Sequence, residues 1–108
     1  MEEITDIQFM YITVGSMEEA GLIGRELLKA RLAACVNIIE NMNSMYWWQG
    51  KIQEDREVVL IAKTIESKVG NLIEKVKEIH SYDCPCIVSL GVQHGNGDFL
   101  AWIREEVN

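Results

Sequence analysis

His80, Cys84 and Cys86 are the residues whose types and spacing could bind a metal ion, because they lie within seven positions of one another. Thiolate and imidazole groups are ligands that copper and zinc accept readily. The sequence therefore predicts a metal site at these three residues for copper or another divalent cation. A structural alternative stays open: a histidine that ends a helix, followed by two small residues flanking Pro85, which limits how the two thiols converge.

The aromatic run Tyr46-Trp47-Trp48 could stack against the ring of a ligand, but interface cores are also enriched in aromatic residues. We therefore expect this run to anchor an interface or a core. The sequence holds no G-x-x-x-x-G-K-[ST] loop, no H-E-x-x-H helix and no compelling Ser-His-Asp spacing. These observations predict a protein that is not an enzyme.

The hydrophobic pattern predicts four strands and three helices that would position these residues. Ser16 and Glu19 have the S-x-x-E spacing of a capping box at the start of the first helix. Gly24 in that helix, like Gly21, is expected to mark close packing against a sheet. Strands are predicted at 7–14, at 35–39 with a continuation at 45–48 after a bulge or bend, at 52–65 and at 86–92. Helices are predicted at 17–33 and from Ser67 to about Ile79. A short third helix follows Asn96 or Asp98, with Phe99, Trp102 and Ile103 on one side.

This order is that of an α+β, ferredoxin-like βαββαβ sandwich with a C-terminal helix and an antiparallel sheet. Right-handed connections place both long helices on one face of the sheet. The opposite face then lacks a cover, although the first strand is apolar on both of its faces. The hairpin that carries Tyr46 is also longer than four strands need. Both features favour association between subunits through sheet faces or strand edges.

Five segments in order resemble the CutA family of divalent-cation tolerance proteins. They are RLAACVN at 31–37, SMYWWQGKI at 44–52, KT at 63–64, HSY at 80–82 together with Pro85, and LAWI at 100–103. The resemblance extends over about residues 8–107. It implies a ferredoxin-like fold, a homotrimer, and a role in the response to metal ions with copper binding.

The same resemblance implies a family metal site that this sequence retains only in part. Where such a site has been proposed, its ligands are a cysteine on the first strand and two adjacent histidines at the end of the second long helix. The matching positions here are Ile12, Ile79 and His80, so one ligand of three is kept. Cys86 stands where the family usually has a carboxylate. We therefore expect the family site to be absent in that form.

Composition narrows the function classes further. The 108 residues predict a single domain, residues 1–108, with 10 basic and 17 acidic side chains and a formal net charge of −7. The basic residues are scattered, which argues against nucleic acid, and the apolar stretches are too short to span a membrane. The acidic start Met1-Glu2-Glu3 and the odd count of three cysteines favour free thiols and a cytoplasmic location.

Three functions remain open at this point. The first is a homotrimeric protein of metal-ion response that binds copper or a related cation. The second is a small-molecule sensor similar to the PII proteins, which share the fold and bind nucleotides between subunits. The third is a structural or anchoring trimer without a metal ligand.

Overall fold

The computed structural model describes residues 5–108, so the acidic start at Met1-Glu2-Glu3 lies outside the described residues. Four strands and three helices follow in the predicted order. They are β1 (Ile7–Val14), α1 (Met17–Lys29), β2 (Cys35–Trp48), β3 (Lys51–Ile65), α2 (Glu66–Ile79), β4 (Ile87–Gly91) and α3 (Gly97–Glu106).

The four strands form one antiparallel sheet in the order β2-β3-β1-β4, which confirms the predicted α+β fold. β1 lies between β3 and β4, and Ile12 is paired with Leu60 on one side and with Ile87 on the other. β1 is therefore paired on both sides, which is the central position that its apolar composition predicts.

The main core lies between the sheet and the two long helices. Met10, Ile12 and Leu60 point from the sheet to this side and are fully buried. The helical residues buried against them are Ala20, Ile23, Leu27, Leu72 and Val76. This cluster confirms that α1 and α2 cover the same sheet face.

α3 covers one end of the opposite face, where Leu100 and Ile103 pack with Ile7. Of the three residues predicted on one side of this helix, Ile103 is fully buried. Phe99 and Trp102 are 36% and 40% exposed and stack on each other with ring centroids 5.8 Å apart. The buried side is set by the position of α3 over β1, which a ten-residue helical pattern does not specify.

α1 begins at the predicted cap but ends earlier than predicted. The Ser16 hydroxyl accepts a hydrogen bond from the Glu19 backbone N–H at 3.1 Å. The helix ends at Lys29 instead of residue 33, and Arg31 takes a positive φ of 56°. Leu32 and Ala33 are buried beyond this end, and so the apolar pattern continued past the last helical residue. The expected close packing holds at Gly24, where an added Cβ would lie 3.1 Å from Val36 Cγ2.

The β2–β3 hairpin projects beyond the rest of the fold. The predicted irregularity lies between Ile39 and Met42, and Asn41 there has φ 72°. Residues 42–57 form the part of the hairpin beyond this bulge, which we call the hairpin arm. Trp47 and Ile52 on this arm are 72% and 66% exposed. The arm makes the molecule 47 Å long but only 23 Å in its shortest extent.

The sheet face opposite α1 and α2 is apolar and only partly covered. Val88 is paired with Tyr11 and Leu90 with Phe9, so all four side chains lie on this face. Val88, Leu90 and Ile39 are 47%, 56% and 54% exposed. We call these three residues the open face. In the described part of the chain, no helix is long and apolar enough to cross a membrane.

Candidate functional site

The His80 side chain points into the protein, away from solvent. It is 0% exposed and lies just after the last residue of α2. Its Nδ1 accepts a hydrogen bond from the Tyr82 backbone N–H at 3.1 Å. Because a backbone nitrogen can only donate, the ring hydrogen is on Nε2, which donates to the Thr13 carbonyl oxygen at 2.8 Å. Both ring nitrogens are therefore engaged, and neither is free to bind a metal ion.

His80 completes the edge of the sheet at the end of β1. The Thr13 backbone N–H donates to the Cys86 carbonyl oxygen at 3.3 Å, just before β4 begins. The N–H and C=O of one residue in an antiparallel strand face the same neighbour. The His80 imidazole therefore satisfies the Thr13 carbonyl at the point where β4 no longer supplies a backbone partner.

The loop at 81–86 is held to α1 by a carboxylate. Glu19 Oε2 accepts a hydrogen bond from the Ser81 backbone N–H at 2.7 Å, and Oε1 accepts one from the Ser81 hydroxyl at 2.9 Å. In a capping box the Glu19 side chain would instead bond to the backbone N–H of Ser16. Only half of that motif is formed here, because the carboxylate is used to fix the loop.

A hydrogen bond between Tyr82 and Glu57 connects the loop to β3. The Tyr82 hydroxyl donates to Glu57 Oε2 at 2.9 Å, and its ring packs 4.6 Å from the His80 ring. Partial burial, and then the hydrogen bond to the Glu57 carboxylate, raise the pKa of Tyr82 well above its usual value. Tyr82 is therefore a protonated donor at any physiological pH, and it ties the loop to β3.

A second tyrosine–carboxylate pair lies on the hairpin arm. The Tyr46 hydroxyl makes a short hydrogen bond to Asp55 Oδ2 across the hairpin. This hydrogen bond is the main reason that the pKa of Tyr46 is raised. The aromatic run is thus ordered in part by its own hairpin, while Trp47 remains exposed.

A cleft of about 680 Å³ opens between the base of the hairpin arm and the loop at 81–86. Residues from β1, β2, β3 and this loop form its walls, and two of the three predicted metal ligands are among them. The lining residues are Tyr11, Thr13, Met42, Asn43, Ser44, Met45, Tyr46, Trp48, Glu57, Tyr82, Asp83, Cys84 and Cys86. We call this space the hairpin cleft.

The structure therefore divides the predicted metal ligands into two groups. Cys84 and Cys86 are exposed free thiols in the hairpin cleft, whereas His80 is buried and bonded to the backbone. Among residues 5–108, no group of three or more His, Cys, Asp or Glu side chains is placed to hold a metal ion. Ile12 lies in the main core and Ile79 packs against it, so both positions are apolar in this fold.

Sequence reasoning missed the carboxylates that order this region. Glu19 had a visible signal in its capping-box spacing, but its contact with Ser81 spans 62 residues. Nothing in the local sequence marked Glu57 as a residue that orders the loop, because charged residues in a strand are usually exposed to solvent at the edge of a sheet. Lys63, in the same strand, has its ammonium over the rings of Phe9 and Phe99, 5.2 and 5.4 Å from their centroids.

Comparison with known proteins identifies a family. Residues 8–106 match the family described as CutA1 divalent ion tolerance protein. The divalent-cation tolerance protein CutA of Archaeoglobus fulgidus is 44% identical over 99 residues, which cover 92% of this chain and 96% of that protein. The protein of the same name from Thermus thermophilus is 44% identical over 105 residues, with 97% of both chains covered. The family is described by ion tolerance and by no reaction, which confirms the prediction of a protein that is not an enzyme.

Solved structures agree with this assignment. The CutA structure from Xylella fastidiosa superposes with a TM-score of 0.94 at 33% identity and covers 96% of this chain and all of that one. The structure from Archaeoglobus fulgidus gives 0.92 at 43% identity and covers 94% and 99% of the two chains.

The comparisons correct the expected cytoplasmic location. The Archaeoglobus structure is described as a periplasmic protein. A relative from rice, 41% identical over 95 residues, is described as chloroplastic. The aligned residues make up 88% of this chain and 54% of the rice protein. The expectation was wrong because it was drawn from free thiols and an acidic start. Cysteines that form no disulfide carry little information about the redox state of their compartment.

Proposed function

The chain belongs to the CutA1 family of divalent ion tolerance proteins, and on that premise we propose that it acts in the response to metal ions as a homotrimer. Copper is the ion that we expect the protein to bind, because the exposed side chains of the hairpin cleft include two thiols, which are ligands that copper prefers. The net charge of −7 per chain becomes three times −7, or −21, in a trimer. A field of that sign concentrates cations around the clefts of the assembly.

The observation that carries the trimer is the uncovered apolar surface. The open face exposes about half of Ile39, Val88 and Leu90, and the hairpin arm exposes most of Trp47 and Ile52. Side chains of this kind are enriched in interface cores, and contiguous apolar patches on soluble proteins mark interaction sites. β2 is also an edge strand of 14 residues, which can pair with another strand. Further copies of the same chain are the partner that covers both surfaces at once.

Light scattering tests the assembly directly. A trimer has three times 12.3 kDa, about 37 kDa. Leu90→Lys places a charge on the open face and is expected to lower the mass toward 12.3 kDa at micromolar concentration. Leu22→Lys is the matched control, because Leu22 is similarly exposed, at 46%, on the solvent side of α1. A wild-type mass near one subunit, or equal masses for the two variants, contradicts the proposal.

The role in metal response needs a test in cells. Cells that lack their own protein of this family are grown in a series of Cu²⁺, Zn²⁺ and Co²⁺ concentrations, with and without this chain. We expect the chain to raise the copper concentration that halves the growth rate, and the Leu90→Lys variant to lose this effect. If growth is the same with and without the wild-type chain for every ion, the proposed role fails.

The hairpin cleft favours a second candidate, a small-molecule sensor. Its volume of about 680 Å³ lies within the range of ligand pockets, and Tyr11, Tyr46 and Trp48 supply aromatic walls. A thermal-shift screen with nucleotides and small organic acids tests this function. A ligand of the folded state raises the melting temperature in proportion to the logarithm of its concentration. If no compound does so while metal ions do, the sensor hypothesis is rejected.

A further inference from the structure

We propose that Cys84 and Cys86 together bind one soft metal ion that accepts two thiolate ligands, with Cu(I) as the preferred ion. The proposal deepens the function proposed above and rests on it for its physiological meaning. It also changes the ligand set predicted from the sequence, since His80 is left out. The site is defined by the hairpin cleft and the loop at 81–86.

Both thiols belong to the wall of one cleft. Cys84 and Cys86 are exposed free thiols on either side of Pro85, and both line the hairpin cleft. The backbone of Cys86 is held by the sheet, because its carbonyl oxygen accepts the Thr13 N–H at 3.3 Å.

The loop that carries the thiols is fixed at both ends. At its start, Ser81 is bonded twice to the Glu19 carboxylate and Tyr82 is bonded to Glu57. At its end, Cys86 is bonded to β1. Metal ligands that are held before the ion arrives need less ordering on binding. The same bonds keep His80 turned into the protein, where its two nitrogens serve Thr13 and Tyr82.

The chemistry of the cleft favours a soft ion with few ligands. Zn²⁺ requires four ligands in structural sites, whereas thiolate and thioether donors select Cu(I). The Met42 thioether also lines the cleft and accepts a hydrogen bond from the Tyr11 hydroxyl at 3.4 Å. Glu57 and Asp83 add negative charge to the same walls.

Binding is a ligand exchange without electron transfer. Two S–H bonds break, two Cu–S bonds form, and both protons pass to solvent. Copper enters and remains as Cu(I), and so the reaction needs no oxidant or reductant. The complex of Cu⁺ with two thiolates carries one negative charge.

An anaerobic competition titration tests the site. The full chain, as the oligomer it forms, is mixed with Cu(I) held by a coloured chelator, and the transfer of copper is followed by absorbance. We expect one ion per chain. Cys84→Ser or Cys86→Ser should weaken binding by at least about 100-fold, more than the loss of an outer partner of a metal ligand usually costs. Cys35→Ser is the matched control, because Cys35 is the third free thiol and lies in β2 outside the cleft.

The variant His80→Gln distinguishes a site made by Cys84 and Cys86 alone from a site that also includes His80. The glutamine amide can still donate to the Thr13 carbonyl, and folding is checked by circular dichroism. We expect the Cu(I) affinity of the folded variant to equal that of the wild type. Loss of affinity in folded His80→Gln protein would overturn the two-thiol assignment, as would full binding by the Cys84→Ser/Cys86→Ser variant or no binding by the wild type. If binding fails while the chain still protects cells, this site is wrong and the proposed function stands.

Discussion

Replacement of His80 by alanine tests whether this histidine is a structural residue. The change removes a fully buried imidazole that satisfies the Thr13 carbonyl. A buried acceptor that loses its partner costs about 1–3 kcal/mol. The cavity left by the ring adds about 1–2 kcal/mol, toward the low end of large-to-small core substitutions because the loop can relax.

The expected result is a loss of about 3 kcal/mol in the free energy of unfolding for His80→Ala. Urea unfolding followed by fluorescence of the three tryptophans measures it. All variants are compared at one protein concentration, because the stability of an oligomer depends on concentration. His80→Gln should recover about half of the loss, since it restores a donor for the carbonyl but not the ring packing.

A change of less than about 0.5 kcal/mol in the unfolding free energy of His80→Ala, the size of a typical surface effect, would contradict a structural role for His80. So would a His80→Gln variant as unstable as His80→Ala, because the hydrogen bond to Thr13 would then contribute nothing.

Two further predictions concern packing and pH. Gly24→Ala should destabilise the protein by about 1 kcal/mol in urea unfolding, because the new methyl group meets Val36 Cγ2 at 3.1 Å. Gly21→Ala, where only a flexible arginine lies nearby, should be neutral or stabilise by up to about 1 kcal/mol, and equal effects would contradict the packing at Gly24. The raised pKa of Tyr82 means that the folded state holds this proton more tightly than the unfolded state, so stability should fall as pH rises above about 10. Tyr82→Phe should make that decline shallower in pH-dependent unfolding, and an unchanged slope would contradict the assignment.

The fold could be read from the sequence because its signals are local. β1 is apolar over its whole length, Ser16 caps α1, and the positive φ of Asn41 lies in the segment where a bulge or bend was predicted. The end of α1 was misjudged because Leu32 and Ala33 are buried beyond it. Burial continues the apolar pattern whether or not the backbone is helical.

The site could be predicted only in part, because its contacts join residues distant in the sequence. The cysteine pair was visible from its spacing. The orientation of His80 was not, since it depends on the Thr13 carbonyl 67 residues earlier and on the short length of β4. A histidine beside two cysteines suggests a third metal ligand, but an unpaired strand carbonyl competes for the same ring nitrogen.

X-ray absorption spectroscopy of the Cu(I)-loaded protein gives the sharpest test of the two-thiol site, because it identifies the atoms bound to the metal. We expect two sulfur neighbours from Cys84 and Cys86 and no nitrogen, with a spectrum that is unchanged in Cys35→Ser. A histidine nitrogen in the first coordination shell would contradict it, because both nitrogens of His80 are bonded within the fold.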